Sequence, residues 1–149
     1  MSECNIDKRE VVEELNDLLK GTYMGRYCFQ NLVDRTSRKD VNDLLLEMID
    51  ILNNHVKIIS NQIIECEGIP HDDHTLAIAM SDMMVAMKNS SLNTKEELLN
   101  SCIKDIGMGQ EAVNKMIIKY GDKPVCLNKI INKLDKDYKD MVSDIKEIM

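Results

Sequence analysis

From Ser37 to Glu67, apolar residues recur at alternating spacings of three and four. Val41, Leu45, Met48, Leu52, His55 and Ile59 form one face of an α-helix, with a histidine on it. Leu44, Ile51, Ile58 and Ile63 widen that face into a stripe suited to a bundle core. Ser37 is placed as the N-cap, and Asp40 puts an acid in the first turn. Gly68 and Pro70 then read as the stop. A helix of roughly thirty residues spans about 45 Å. A rod of that length needs partners of similar length, so the rest of the chain is read as packing around it.

Such partners are present. Lys8 to Asp34 has Val12, Leu15, Leu19, Thr22, Arg26, Phe29 and Val33 on one stripe. Its Gly21 and Gly25 weaken the helix locally but permit close approach of a neighbour. Arg35-Thr36-Ser37 is a turn too short for anything but an antiparallel hairpin. After the loop from Gly68 to Asp73, Thr75 to about Asn89 reads as a shorter, Met-rich helix, broken at Asn89-Ser90-Ser91. Thr94-Lys95-Glu96-Glu97 is a capping box. It opens a third long helix carrying Leu99, Cys102, Ile106, Val113, Ile117 and Tyr120, with Gly107 and Gly109 interrupting it near the middle. Gly121 is placed to close that helix and Pro124 to start the last one. Leu127, Ile131, Leu134, Tyr138, Met141, Ile145 and Ile148 give the last helix its core face. No alternating strand pattern appears. The expected architecture is all-α: a polar tail over residues 1–7 and a four-helix bundle over 8–149. The long connection lets the third helix start at the same end as the second, the crossover topology of ferritin-like bundles.

Composition narrows the function. The net charge is −7 and Lys and Arg are interleaved with Asp and Glu, so nucleic acid and anionic membrane surfaces are not expected partners. Aromatic residues are 3% of the chain, which argues against a base-stacking platform, and 11 Met fill space instead. No apolar run is long enough to span a bilayer, and Met1 to Asp7 lacks the apolar stretch of a secretory signal. The five cysteines have no zinc-type spacing, and Cys28, Cys66 and Cys102 fall within helical patterns as small buried hydrophobes. A reducing cytoplasm is the expected location.

Polar residues inside the pattern are the candidate site. His55 reads as a buried neutral imidazole hydrogen-bonded across the bundle to Thr22, Tyr138 or Asp135, or as a ligand of a single metal with Asp135 and Asp105. Arg26 either snorkels along the surface or, if buried, pairs with Asp105 or Asp135. His71-Asp72-Asp73-His74 is the most metal-like short run, and equally a polar loop. Lys133 to Lys139 alternates Lys with Asp as a solvated face with i,i+4 pairs. The chain has no nucleophile triad signature, phosphate loop or dinucleotide glycine motif.

The stretches Leu15 to Met24, Ile64 to Pro70 and Cys102 to Gly109 resemble a bacterial family of small ferritin-like bundles of uncharacterised function, over roughly residues 8–120. Some spore-coat proteins of low-GC bacteria resemble the same fold. In the wider ferritin-like group, that resemblance implies a di-iron site built from inward carboxylates on two helices and a Glu-x-x-His pair on each of the others. Carried over, the first acid falls at Thr22 and the second-helix pair at Leu52 and His55. The third acid falls at Ile106, or at Asp105 after a slight rotation, and the fourth-helix pair at Asp135 and Tyr138. One histidine and at most two aspartates remain, too few for two iron ions.

The sequence therefore leads to a non-catalytic structural or interaction module that self-associates as a dimer, with no resident cofactor. Thr22, Arg26, His55 and Tyr138 are its expected core polar network. The alternative is an iron- or manganese-binding oxidoreductase or storage protein with an atypical site at His55, Asp105 and Asp135. A third reading is a small-ligand carrier with an apolar pocket beside the paired glycines.

Overall fold

The computed structural model of the chain describes residues 7–33, 35–72, 94–120 and 127–149. These hold four helices and no strand: α1 (Lys8–Val33), α2 (Lys39–Glu65), α3 (Lys95–Tyr120) and α4 (Asn128–Ile148). The expected Met-rich crossover helix, Asp73 and His74, Gly121, Pro124 and residues 1–6 lie outside the described residues.

The apolar periodicity chooses the buried faces of α2 and α4. On α1 the buried stripe includes Val11 and Leu32, and the expected Val12, Arg26 and Val33 are half-buried. Val41, Leu45, Met48, Leu52, His55 and Ile59 are all buried on α2, and Ile131, Leu134, Tyr138, Met141 and Ile145 on α4. Burying each large aliphatic side chain contributes about 1.5–3 kcal/mol. Gly107 and Gly109 do not interrupt α3, which runs unbroken from Lys95 to Tyr120. Packing of its apolar face outweighs the poor helix propensity of two glycines.

The helix ends differ from expectation in detail. Asp7 belongs to the bundle rather than the tail, because its Oδ1 accepts the Arg9 N–H at 2.9 Å and caps α1. Ser37 is not the cap of α2; Arg38 holds that position without a side-chain cap, and Thr36 Oγ1 accepts the Arg38 N–H. At the other end of α2, Gly68 N–H donates to Ile63 O and Glu67 N–H to Ile64 O, the paired bonds of a Schellman motif. The left-handed residue of that motif is Glu67, with φ 65°, not a glycine. Gly68 serves packing instead, since a Cβ there would stand 2.6 Å from both Val12 methyls. Thr94 caps α3 by accepting the Glu97 N–H at 3.1 Å, while its hydroxyl donates to the Glu97 carboxylate at 3.0 Å. The first described residue of α4 is Asn128, later than a Pro124 start.

Polar contacts at the ends fix the directions. Lys95, opening α3, donates to Asp40, opening α2, at 2.9 Å. Lys119, near the end of α3, meets Glu10 and Glu14 at the start of α1. So α3 runs parallel to α2 and antiparallel to α1. Helix α1 packs on α2 and α3, and α4 packs on α3 and α2, leaving α1/α4 and α2/α3 as diagonals. The two points joined by residues 66–94 therefore lie at opposite ends of the bundle, as crossover topology requires.

Candidate functional site

Midway along the bundle the apolar core gives way to a polar layer. His55 is 0% exposed, with Leu52 and Ile59 on the turns either side of it. Its Nε2 lies 2.8 Å from Asp137 Oδ2 on α4. Lys133, one turn earlier on α4, donates to the same oxygen at 2.9 Å. Burial lowers the His55 pKa, against the opposing pull of Asp137. The Nδ1 atom is buried with no hydrogen-bond partner, so protonating it would strand an N–H in the core. Both observations assign a neutral imidazole that donates from Nε2 to the carboxylate. Burial raises the Asp137 pKa, but the hydrogen bonds from His55 and Lys133 outweigh it and hold the carboxyl below its usual value.

Tyr138 packs edge-on against His55, with ring centroids 5.4 Å apart and planes at 85°. Its buried hydroxyl is in hydrogen-bond contact with Thr22, and burial pushes its pKa up to about 12. The Thr22 hydroxyl in turn donates to Leu18 O at 2.8 Å. Thr22, Tyr138, His55, Asp137 and Lys133 thus form one run of contacts across α1, α4 and α2. Arg26 stands beside it: its Nη1 donates to Asn53 Oδ1 at 3.1 Å, and its guanidinium lies over the rings of Tyr23 and Tyr27.

The two other sequence candidates point elsewhere. Asp135 pairs with Lys139 at 2.9 Å on its own helix. Asp105 is half-buried on α3 beside the Cys28 thiol of α1, and burial raises its pKa. Burial, reinforced by Asp105, pushes the thiols of Cys28 and Cys102 up to about 12. Neither is a thiolate at neutral pH, which makes both poor nucleophiles. The structure does not bring His55, Asp105 and Asp135 together, and no three His, Cys, Asp or Glu side chains among the described residues are grouped to hold a metal ion. Di-iron chemistry needs several convergent carboxylates, and this donor set does not fit it. From the His71–His74 run, His71 contributes its backbone: its N–H donates to Asn16 Oδ1 at 2.9 Å, while Asn16 Nδ2 donates to Ile69 O.

Two residues escaped the sequence reading. Asp137 sits in the alternating Lys/Asp run, where the pairs Lys133–Asp137, Lys136–Asp140 and Lys139–Asp135 all form as the spacing predicts. Its second partner, in the core, carries no local signal. Asn16 is 6% exposed on a helix whose neighbouring Asp17 is in solvent, and only the Ile69 and His71 backbone explains its burial.

A cavity of about 190 Å³ adjoins the polar layer between α1 and α3, with Leu52 and Tyr138 in its floor.

Comparison with known proteins places this geometry. Residues 10–119 match the profile of a family described as a domain of unknown function, DUF2383. No curated protein matches the chain. Among solved structures, the chain is similar to a bacterioferritin-related protein of Bacteroides fragilis, described as a dodecameric thioferritin. The identity is 18% and the TM-score 0.76, over 95% of this chain and 85% of that one. It is also similar, at 16% identity and TM-score 0.75, to a two-domain protein of Anabaena variabilis with DJ-1/ThiJ/PfpI-like and ferritin-like domains. That match covers 96% of this chain and 40% of the longer protein. The chain belongs to the DUF2383 family of domains of unknown function, and its fold is a ferritin-like four-helix bundle.

Proposed function

We propose that this protein is a non-catalytic ferritin-like module, held at its centre by hydrogen bonds rather than by a di-iron site, that works by self-association. The carrying observation is the His55–Asp137–Lys133 run: the one histidine matching a di-iron ligand already donates to a carboxylate that a lysine also holds. Self-association draws support from the Bacteroides fragilis structural relative, described as dodecameric. A dimer is the smallest assembly this reading needs. The net charge of −7 disfavours nucleic acid as partner, and the buried free thiols of Cys28, Cys66 and Cys102 fit a reducing cytoplasm. Among the described residues no helix is long and apolar enough to cross a membrane.

The alternative is an atypical iron or manganese site around His55, favoured by one observation: His55 Nδ1 is buried and unpartnered. Elemental analysis of untagged protein with an anaerobic Fe(II) titration separates the two readings, and light scattering gives the assembly state. Sub-stoichiometric metal and no thermal shift with Fe(II) are expected, together with a mass above that of one chain. Near-stoichiometric iron or manganese, lost on His55→Ala, would replace this proposal with the metal reading; a monomer would remove self-association.

A further inference from the structure

Gly21, Gly25 and Gly109 stand in helix interiors, and all three line the cavity between α1 and α3. Glycine is a poorer helix former than alanine, and only some of these positions have a reason for it. Gly25 and Gly109 have one in packing, because a Cβ would come 3.3 Å from Leu52 Cδ1 and 2.9 Å from Tyr138 Cζ respectively. Gly21 has none: a Cβ there would meet nothing within 4 Å. It lies at the mouth with Asp17, Met108 and Ala112, all exposed.

The cavity's volume of about 190 Å³ exceeds the roughly 150 Å³ that suffices for benzene in an engineered apolar cavity. Its walls include Leu18, Phe29 and Ile106, with Met24, Met108 and Met141. Thioethers are flexible and make favourable contacts with aromatic rings, so these walls suit a ring of variable outline. The polar groups at the wall are few. Asp105 contributes a carboxyl whose Oδ2 is buried without a hydrogen-bond partner, and the Cys28 thiol lies beside the same carboxyl. A buried polar atom left unpaired is destabilising, and a ligand N–H or O–H would relieve it. The acidic chain and Asp105 together disfavour an anion.

We propose that this cavity binds a small, flat, uncharged aromatic molecule of one or two rings, carrying one N–H or O–H group that pairs with the Asp105 carboxyl. Small-ligand binding goes beyond the self-association reading and does not depend on it. The glycine at the mouth keeps the way in open, and the Leu52–Tyr138 floor sets the depth.

The test is calorimetric titration of the full chain with indole and with indene, which has the same shape without the N–H. Saturable one-to-one binding of indole is expected, with indene at least about tenfold weaker and a matching rise in melting temperature with indole. Gly21→Leu fills the mouth from α1 and Ala112→Leu from α3, each at a helix position with solvent beside it. Both variants are expected to keep the wild-type circular dichroism and to lose indole binding. The absence of saturable indole binding to the wild type, equal affinity for indole and indene, or unchanged binding in the folded variants would overturn the proposal.

Discussion

His55 on α2 and Asp137 on α4 meet at 2.8 Å inside the bundle, and the imidazole gives its only N–H to that contact. Because Nδ1 has no partner, the neutral ring suits the folded core and the charged ring suits the unfolded chain. Stability therefore depends on pH. The folded pKa of His55 lies below its unfolded 6.5, so the unfolded chain binds the extra proton first as pH falls. Stability should be level above about pH 7.5 and decline as pH drops below 6.5 toward the folded value. Asp137, depressed below 3.8, adds stability that is lost only in stronger acid. Urea denaturation across pH 5 to 8 checks this (roughly one titration range around the histidine). His55→Gln should flatten the slope; a slope that persists would assign it to another group.

Removing the acceptor should be costly without disturbing the surface. Asp137→Ala leaves the His55 N–H buried and unpaired, for an expected loss of about 1–3 kcal/mol. The neighbouring pair Lys136–Asp140 is exposed, and Asp140→Ala should change stability by under about 1 kcal/mol. Comparable losses in the two variants would mean that the core contact adds nothing beyond a surface ion pair.

Two adjacent residues at the end of α2 should respond with opposite signs. Glu67 occupies the left-handed region at φ 65°, where a side chain costs about 1–2 kcal/mol, so Glu67→Gly should stabilise the protein by about 1 kcal/mol. Its ion pair with Lys8 is 3.7 Å long and exposed, and its loss matters little. Gly68→Ala should instead destabilise by about 1–3 kcal/mol, because the new methyl meets the stiff Val12 side chain at 2.6 Å. Adding Val12→Ala should recover part of that loss, which thermal melts of the three variants would show.

The same contrast holds within α3. Gly107→Ala meets nothing within 4 Å and should gain about 0.5–1 kcal/mol of helix stability. Gly109→Ala drives a Cβ to 2.9 Å from the buried Tyr138 ring and should lose more than that gain. Near-ultraviolet circular dichroism, which reports the tyrosine environment, should change for the second variant alone.

Asn16 ties the segment after α2 to the start of α1 through the Ile69 carbonyl and the His71 N–H. Asn16→Ala should cost about 1–3 kcal/mol, from two lost hydrogen bonds at about 0.5–1.5 kcal/mol each. Hydrogen exchange at the His71 amide should accelerate; an unchanged rate would show that Asn16 does not protect it.

The sequence by itself determined which face of α2 and of α4 is buried. That information is local: a spacing of three and four places Val41 through Ile59 on one side of α2 whatever α2 packs against. It also determined the crossover topology, because a long connection between the second and third helices permits only a few arrangements. The choice of Asp137 over Asp135 is of another kind. At 100° per residue the two lie on opposite flanks of Tyr138, and both flanks are polar in the sequence. Which flank turns toward His55 depends on how α4 rolls and slides against α2, a relation between segments about eighty residues apart. Asn16 is hidden for the same reason, since its partners are backbone groups across the bundle. Periodicity fixes what a helix buries, and only the packing of one helix on another decides which polar atoms meet.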